Sequence, residues 1–361
     1  MNQNLAMADG RRSTTLASLL TLLLIAGGAA LILGTRPAEQ PIQADTLAYG
    51  FDGDIFVAES DGTNPVRIAD GDPFGGGGEA ACGSFSPDGP MWSPDGRLLA
   101  FGAELATCGW EVWIADPSGA VIVTIPGTRP TWSPDATRVA TPSASTSEIG
   151  IYGIDGVRRA LLAVPPGVPS VAAGASGDLA WTRDGASILV WGPTETWELP
   201  IDARGPRFVP GRDATRQPAA NYSPDDARVA LVDDGSLWVG AADGSGLHEL
   251  VPGVFDRSIL WSPAGDRIAF IGTRGDSTAS PTTDIGIVDP ANGHVTWLDV
   301  GGLDAEVNLS LRGYASDGGR ILYSPGRGTG PLSSVDLQDL QSTLIVANAD
   351  WGDWRPAPAG S

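Results

Sequence analysis

Six times along the chain a bulky aromatic residue heads the same pattern, a short polar turn followed by a run of apolar positions. The segments are WSPDGRLLAF at 92–101, WSPDATRVAT at 132–141, WTRDGASILV at 181–190, YSPDDARVAL at 222–231, WSPAGDRIAF at 261–270 and YASDGGRILY at 314–323. Their aromatic heads are spaced by 40, 49, 41, 39 and 53 residues. One such match would mean little, because Ser-Pro-Asp-Gly is a generic turn. Phe85-Ser86-Pro87-Asp88-Gly89 matches the head but lacks the apolar run, and it reads as loop. Six in register mark an internal repeat, and a period near 40 residues points to a repeat architecture.

The chemistry of the unit explains the pattern. Trp92, Trp132, Trp181, Tyr222, Trp261 and Tyr314 each end a strand. Pro94, Pro134, Pro224 and Pro263 preset φ for the first corner of the turn. Asp95, Asp135, Asp184, Asp225 and Asp317 can accept hydrogen bonds from nearby amides, and Gly96 accepts a left-handed backbone. The run that follows, such as Arg97-Leu98-Leu99-Ala100-Phe101, is apolar on both sides, as in a sheet covered on both faces. A third strand follows about ten residues later, then a second turn (DPSG at 116–119, DGSG at 243–246, DPANG at 289–293) and a fourth strand. Four antiparallel strands per repeat of about 40–45 residues is the blade of a propeller.

The count rests on the two ends. Residues 46–50, 54–60 and 65–69 supply a second, third and fourth strand without an aromatic head. The missing first strand is found at 349–356, where Trp354 stands two residues before a proline. The two ends complete one blade, so the prediction is an all-β, seven-bladed propeller over 46–356, closed by residues 349–356. These motifs resemble the TolB-like family of WD40-like propeller repeats, whose core is close to WSPDG-x-x-[IVL]-A-[FY]. The resemblance implies the fold and leaves the function open. Two heads depart from it, Thr182-Arg183 after Trp181 and Ala315-Ser316 after Tyr314, which puts those turns in doubt. The separate α/β domain of TolB has no counterpart in these repeats, so a role in an outer-membrane energising complex is not implied.

Ahead of the repeats, residues 16–34 form an uncharged, mostly apolar run of 19, close to the length that spans a bilayer. Arg11 and Arg12 precede it, which places residues 1–15 in the cytoplasm and the propeller on the extracytoplasmic side. The rival is a cleaved signal peptide. The length of the run and its end at Leu33-Gly34-Thr35, a poor cleavage site, favour a single-pass anchor in the cell membrane. Residues 35–45 read as a tether and 357–361 as a tail.

Composition narrows the function. The chain has 49 Gly, 29 Pro and a formal charge of −21, and all 22 of its basic residues are Arg. A surface this acidic repels phosphate backbones, so nucleic acid is excluded as a partner. Cys82 lies in the link into the second blade and Cys108 in that blade's middle loop, on one face of the ring. A disulfide between them would close a span of about 26 residues, worth about 3–4 kcal/mol in the chain-entropy model; the alternative is two free thiols. The two histidines, His248 and His294, fall at outer strands and read as surface residues. Asp52-Gly53-Asp54, Asp70-Gly71-Asp72 and Asp233-Asp234 lack calcium-loop spacing and read as turns. The glycines at 75–78 precede no Lys-Ser/Thr and are no phosphate cradle.

No catalytic, cofactor-binding or metal-ligating set is therefore predicted. The repeat turns share one face. The variable loops at 70–85, 102–110, 142–148, 205–218, 272–283 and 301–311 share the other, which is the expected binding surface. The function expected is a membrane-anchored scaffold for an envelope protein or small ligand. The alternative is an enzyme, such as a lactonase or lyase, or a sugar-binding propeller that uses the central channel. A third reading is a sensor acting through a membrane partner.

Overall fold

The computed structural model describes residues 46–70, 89–104, 109–144, 146–166, 179–191, 196–202, 204–209, 221–254, 259–274, 282–298, 300, 309–325 and 330–356. The cytoplasmic segment, the apolar run at 16–34, the tether, the tail, Cys82, Cys108 and most of the variable loops lie outside the described residues. Among the described residues no helix is long and apolar enough to cross a membrane.

The strands form seven sheets of four. Blade 1 orders β28 (Trp351–Trp354), β1 (Leu47–Phe51), β2 (Asp54–Ala58) and β3 (Val66–Ala69). Blade 2 holds β4 (Met91–Trp92), β5 (Leu99–Glu104), β6 (Trp110–Ala115) and β7 (Val121–Pro126). Blade 3 holds β8 (Thr131–Trp132), β9 (Arg138–Pro142), β10 (Glu148–Gly153) and β11 (Arg158–Ala163). Blade 4 holds β12 (Leu179–Trp181), β13 (Ser187–Trp191), β14 (Thr196–Pro200) and β15 (Arg207–Val209). Blade 5 holds β16 (Asn221–Tyr222), β17 (Arg228–Asp233), β18 (Ser236–Ala241) and β19 (His248–Pro252). Blade 6 holds β20 (Leu260–Trp261), β21 (Ile268–Arg274), β22 (Thr282–Val288) and β23 (Val295–Leu298). Blade 7 holds β24 (Leu309–Tyr314), β25 (Arg320–Pro325), β26 (Gly330–Asp336) and β27 (Ser342–Ala349). The first strand of each blade meets its counterparts around the axis, as β28 meets β4 and β24.

The turn after each aromatic head is built by its own side chains. In blade 2 the Ser93 hydroxyl donates to Asp95 at 2.6 Å and accepts from the amides of Arg97 and Leu98. Blades 3 and 5 repeat this with Ser133–Asp135 and Ser223–Asp225. Burial pushes the Asp135 carboxyl up, but hydrogen bonds from Ser133 and Thr137 outweigh it and hold it down at about 2. The two doubtful heads keep the turn as well. Thr182 replaces serine and donates to Asp184, while in blade 7 the backbone bonds Gly318 N to Ala315 O and Ala315 N to Arg320 O suffice. In blade 6 Ala264 stands where the carboxylate is usual, and Ser262 donates to Asp266 instead.

The core is a set of wedges between blades. Leu99, Ala100 and Phe101 of β5 are all buried, although successive side chains leave opposite faces of a strand. One set packs with Ala48 and Ile55 of blade 1, the other with Trp132 and Val139 of blade 3. Each such Leu or Ile contributes about 1.5–3 kcal/mol when taken out of water. No single blade buries both of its faces, so the ring stands or falls together.

Closure follows the predicted route. Leu47 pairs with Trp354, Ala48 with Asp353, Tyr49 with Gly352 and Gly50 with Trp351. Flanking backbone bonds run from Arg355 N to Thr46 O and from Asp350 N to Gly50 O, both at 2.8 Å. A Cβ at Gly352 would stand 2.4 Å from Leu332, so glycine there lets blade 7 pack against the closing strand. The short Asp-Gly turns are loops, as expected. Asp52-Gly53 and Asp234-Gly235 both have positive φ at each residue and close two-residue hairpins. Asp54 pairs with Arg67 at 3.0 Å. His248 opens β19, and His294 precedes β23 by one residue.

Candidate functional site

Tryptophan indoles and five of the described arginines link blades. The indole N–H of Trp132 donates to Met91 O at 3.2 Å, that of Trp181 to Thr131 O at 3.1 Å, and that of Trp261 to Asn221 O at 2.8 Å. Each of these three heads thus ties back to the residue before the previous head. Guanidinium groups tie forward. Arg138 lies 4.9 Å from the Trp181 ring, Arg183 5.1 Å from Tyr222, Arg228 4.8 Å from Trp261, Arg320 5.2 Å from Trp354 and Arg355 5.6 Å from Trp92. Arg138, Arg228 and Arg355 also donate to the carbonyls of Gly185, Gly265 and Gly96 in the next turns. The signal was present in the repeats, since Arg138, Arg228, Arg267 and Arg320 all stand six residues after their heads.

This linkage makes a prediction. Replacing Arg138 with Met removes one cation–π contact and one interblade hydrogen bond, and should cost about 1–2 kcal/mol in denaturant unfolding. Arg97, which is 80% exposed and pairs only with the adjacent Asp95 at 3.8 Å, serves as the control. Arg97→Met should stay within about 0.5 kcal/mol. Equal effects at the two positions would show that the arginine links are ornamental.

Arg312 stands apart from this girdle. It lies on β24, whose six residues exceed the two of β4, β8, β16 and β20. Register with β25 skips between Leu311 and Gly313, so a bulge at Arg312 takes it out of the ladder. Its guanidinium sits 3.7 Å from the Trp351 ring, and its Nε and one terminal nitrogen donate to Ser324 Oγ at 3.1 and 2.9 Å. The stack and the hydroxyl fix the plane of the group, and among the described residues nothing bonds its other edge. Burial pushes the Arg312 pKa down to about 10, against the pull of Asp353, so it is still a cation at neutral pH.

Asp353 lies two residues along β28 from Trp351 and accepts the backbone N–H of Trp92 at 3.0 Å. Some of its surface is accessible, yet protein crowds the carboxylate. Burial raises its pKa to about 7, although the Trp92 amide and the Arg312 charge both work the other way. The indole links fail at this place. Trp92 and Trp354, 5% and 3% exposed, have indole N–H groups with no acceptor among the described residues, and the same holds for the buried Tyr314 hydroxyl. Trp92 and Trp354 stand at the two junctions that flank blade 1, and Tyr314 at the junction of blades 6 and 7. Both Arg312 and Trp351 lie upstream of their heads, toward the loop face. Among the described residues no group of three or more His, Cys, Asp or Glu is placed to hold a metal ion.

Solved structures share this architecture. The chain is similar to a candidate 6-phosphogluconolactonase from Bacteroides uniformis at 15% identity, over 86% of this chain and 100% of that one, with a TM-score of 0.51. A second such protein, from Bacteroides fragilis, matches at 15% identity over 88% and 99%, with a TM-score of 0.50. TolB from Acinetobacter baumannii matches at 16% identity over 86% and 67%, with a TM-score of 0.46.

The chain is a seven-bladed β-propeller.

No family model matches the sequence, and a search of curated proteins finds no match. At these identities the likeness establishes the fold alone, in keeping with the TolB-like character of the repeats. Of the residues singled out from the sequence, the heads Trp92, Trp132, Trp181, Tyr222, Trp261 and Trp354 come together around the axis as blade-to-blade links. Arg312, Ser324, Trp351 and Asp353 were not singled out, because they lie outside the repeat motif.

Proposed function

We propose that this propeller is a membrane-anchored, extracytoplasmic binding scaffold that takes a partner protein or small ligand on its loop face, around Arg312, Trp351 and Asp353. Arg312 is the observation that carries the reading. It is a cation whose plane is held by Trp351 and Ser324 and whose remaining donors make no bond among the described residues. A preorganised guanidinium beside an aromatic ring is suited to recognition, because little rotamer entropy is lost on binding. The apolar run at 16–34 supports the anchor, and the arginines before it support an outside location.

Alkaline-phosphatase fusions after residue 45 and in-cell photo-crosslinking test both halves. The fusion should be active. A crosslinker at Ser310, on the loop side of β24, should give an adduct of defined mass that is lost in Arg312→Gln at unchanged melting temperature. A crosslinker at Ser118, exposed on the turn face of blade 2, should give none. Equal adducts from both faces, or an inactive fusion, would reject the corresponding half. A second reading is an enzyme or sugar-binding propeller that uses the axis. It draws on Asp353, whose carboxyl holds its proton into the neutral range suited to a general acid.

A further inference from the structure

The junction between blades 6 and 7 differs from the others on the turn face. The turn between a blade's third and fourth strands places one residue in the left-handed region immediately before the turn closes. In blades 1, 2, 3, 5 and 6 that residue is Gly62, Gly119, Gly156, Gly244 and Gly293. In blade 7 it is Leu340, with φ at 60° and the side chain 37% exposed. A γ-branched side chain in this region is strained, and such strain gathers where a protein meets ligands. The glycines also show why size matters. A Cβ at Gly62 would lie 2.5 Å from Ile345 O, and one at Gly119 would lie 2.6 Å from Ile68 O, so those turns sit directly on the previous blade. At blade 7 a leucine occupies this position, and a cavity of about 390 Å3 opens between the blades.

The walls of this cavity are amphipathic. Ile287, Leu337 and Leu340 supply the apolar side, while Arg267 and His294 stand among the polar groups. Its two carboxylates are engaged within their own turns. Asp289 accepts from Ala291 N and Asn292 Nδ2, and Asp266 accepts from the Ser262 hydroxyl. Arg228, also in the wall, is stacked on Trp261. Arg267 is different. It holds the girdle position of blade 6, six residues after Trp261, yet among the described residues it makes no stack on Tyr314 and no bond to the Gly318 carbonyl. Its one ion pair is with adjacent Asp266 at 3.6 Å, with 46% of the Arg267 side chain exposed.

We propose that this groove binds a small free monocarboxylate, with the acid on Arg267 and its hydrocarbon part against Ile287, Leu337 and Leu340. The volume lies in the range of small-ligand pockets and holds a short aliphatic or aromatic acid. A half-exposed guanidinium whose one carboxylate partner stands off at 3.6 Å can take a second carboxylate, and it selects the anion over the corresponding amine or alcohol. The site is independent of the loop face and lies on the opposite end of the ring.

The chain has only two histidines and no lysine, which makes a footprint clean. Full-length protein is treated with diethyl pyrocarbonate at rising hexanoate concentration, and acylation of each histidine is followed by mass spectrometry. Hexanoate should slow the reaction of His294 several-fold and saturably, and leave His248 on β19 unchanged. Hexylammonium and hexanol should protect neither. Arg267→Met should abolish the protection. Leu340→Gly should weaken it while raising the melting temperature by about 2 °C, because the strain is relieved as the apolar wall is removed. A peptide ending in a C-terminal hexanoate-like residue that protects where hexanoate does not would reassign the site to a protein partner and overturn the proposal. So would absent protection, equal protection by hexylammonium, or protection unaffected by both substitutions.

Discussion

Removing residues 349–361 should leave a chain that does not unfold as one cooperative unit. The deletion takes away β28 and with it Trp354, which is 3% exposed and packs in the wedge between blades 1 and 7. Losing a buried tryptophan alone costs about 3–5 kcal/mol. The deletion also frees the edge of β1, uncovers Leu47 and Tyr49, and removes Arg355 from Trp92 and Gly96. Together these losses reach the size of a whole domain's stability, about 5–15 kcal/mol. A rescue separates closure from mere damage. Trp354 ends its strand beside Leu47, as every other head stands beside its second strand. Placing residues 349–356 and a Ser-Pro-Asp-Gly turn directly before Thr46 in the truncated chain should restore a single sharp transition. Calorimetry on the three proteins decides. A truncated chain that melts like the full one, or a rescue that fails, would mean that the ring is not closed through blade 1.

Asp353→Asn should change how stability depends on pH. The folded carboxyl holds its proton up to about 7, against an ordinary value of 3.8. Between these values the native state binds more protons than the unfolded chain, so stability falls as pH rises. The contribution is fully present below about pH 4 and lost by about pH 7. Its upper bound, at 1.36 kcal/mol for each tenfold step, is about 4 kcal/mol. Asparagine keeps an acceptor for the Trp92 amide and carries no charge to desolvate. The variant should therefore be more stable than the native protein at pH 8, with the gap closing toward pH 5. Because the whole chain is strongly acidic, both proteins gain from losing charge on acidification, so the difference between them is the measurement. Denaturant unfolding from pH 4.5 to 8 that gives parallel curves would show that Asp353 is not a buried, proton-holding group. Carboxylates such as Asp135, held low, act only below this window and in the opposite sense.

The contrast between Asp135 and Asp353 shows what could be read in advance. Asp135 sits in a repeated turn, and its partners Ser133 and Thr137 are local, two residues to either side. Local geometry of this kind is dictated by backbone sterics and short-range hydrogen bonding, so the strands, the turns, the four-strand blade and the seven-fold count all follow from the chain alone. Even the closure was legible, because Trp354 is a head without a second strand and residues 46–50 are a second strand without a head. The arginine girdle was half legible. Its residues recur in the motif, but their acceptors lie in the next blade, 47 residues away for Arg138 and Gly185.

Only the tertiary structure decided the rest. Asp353 and Trp92 meet across 261 residues of sequence, and Arg312 meets Trp351 through a bulge that no periodicity announces. Leu340 is unremarkable as a letter, and gains meaning only when its backbone proves to occupy a place where five other blades have glycine. The repeat determines the ring because each blade obeys the same local rules. The contacts of Asp353 with Trp92 and of Arg312 with Trp351 join residues of different blades, and only closure of the ring brings them together.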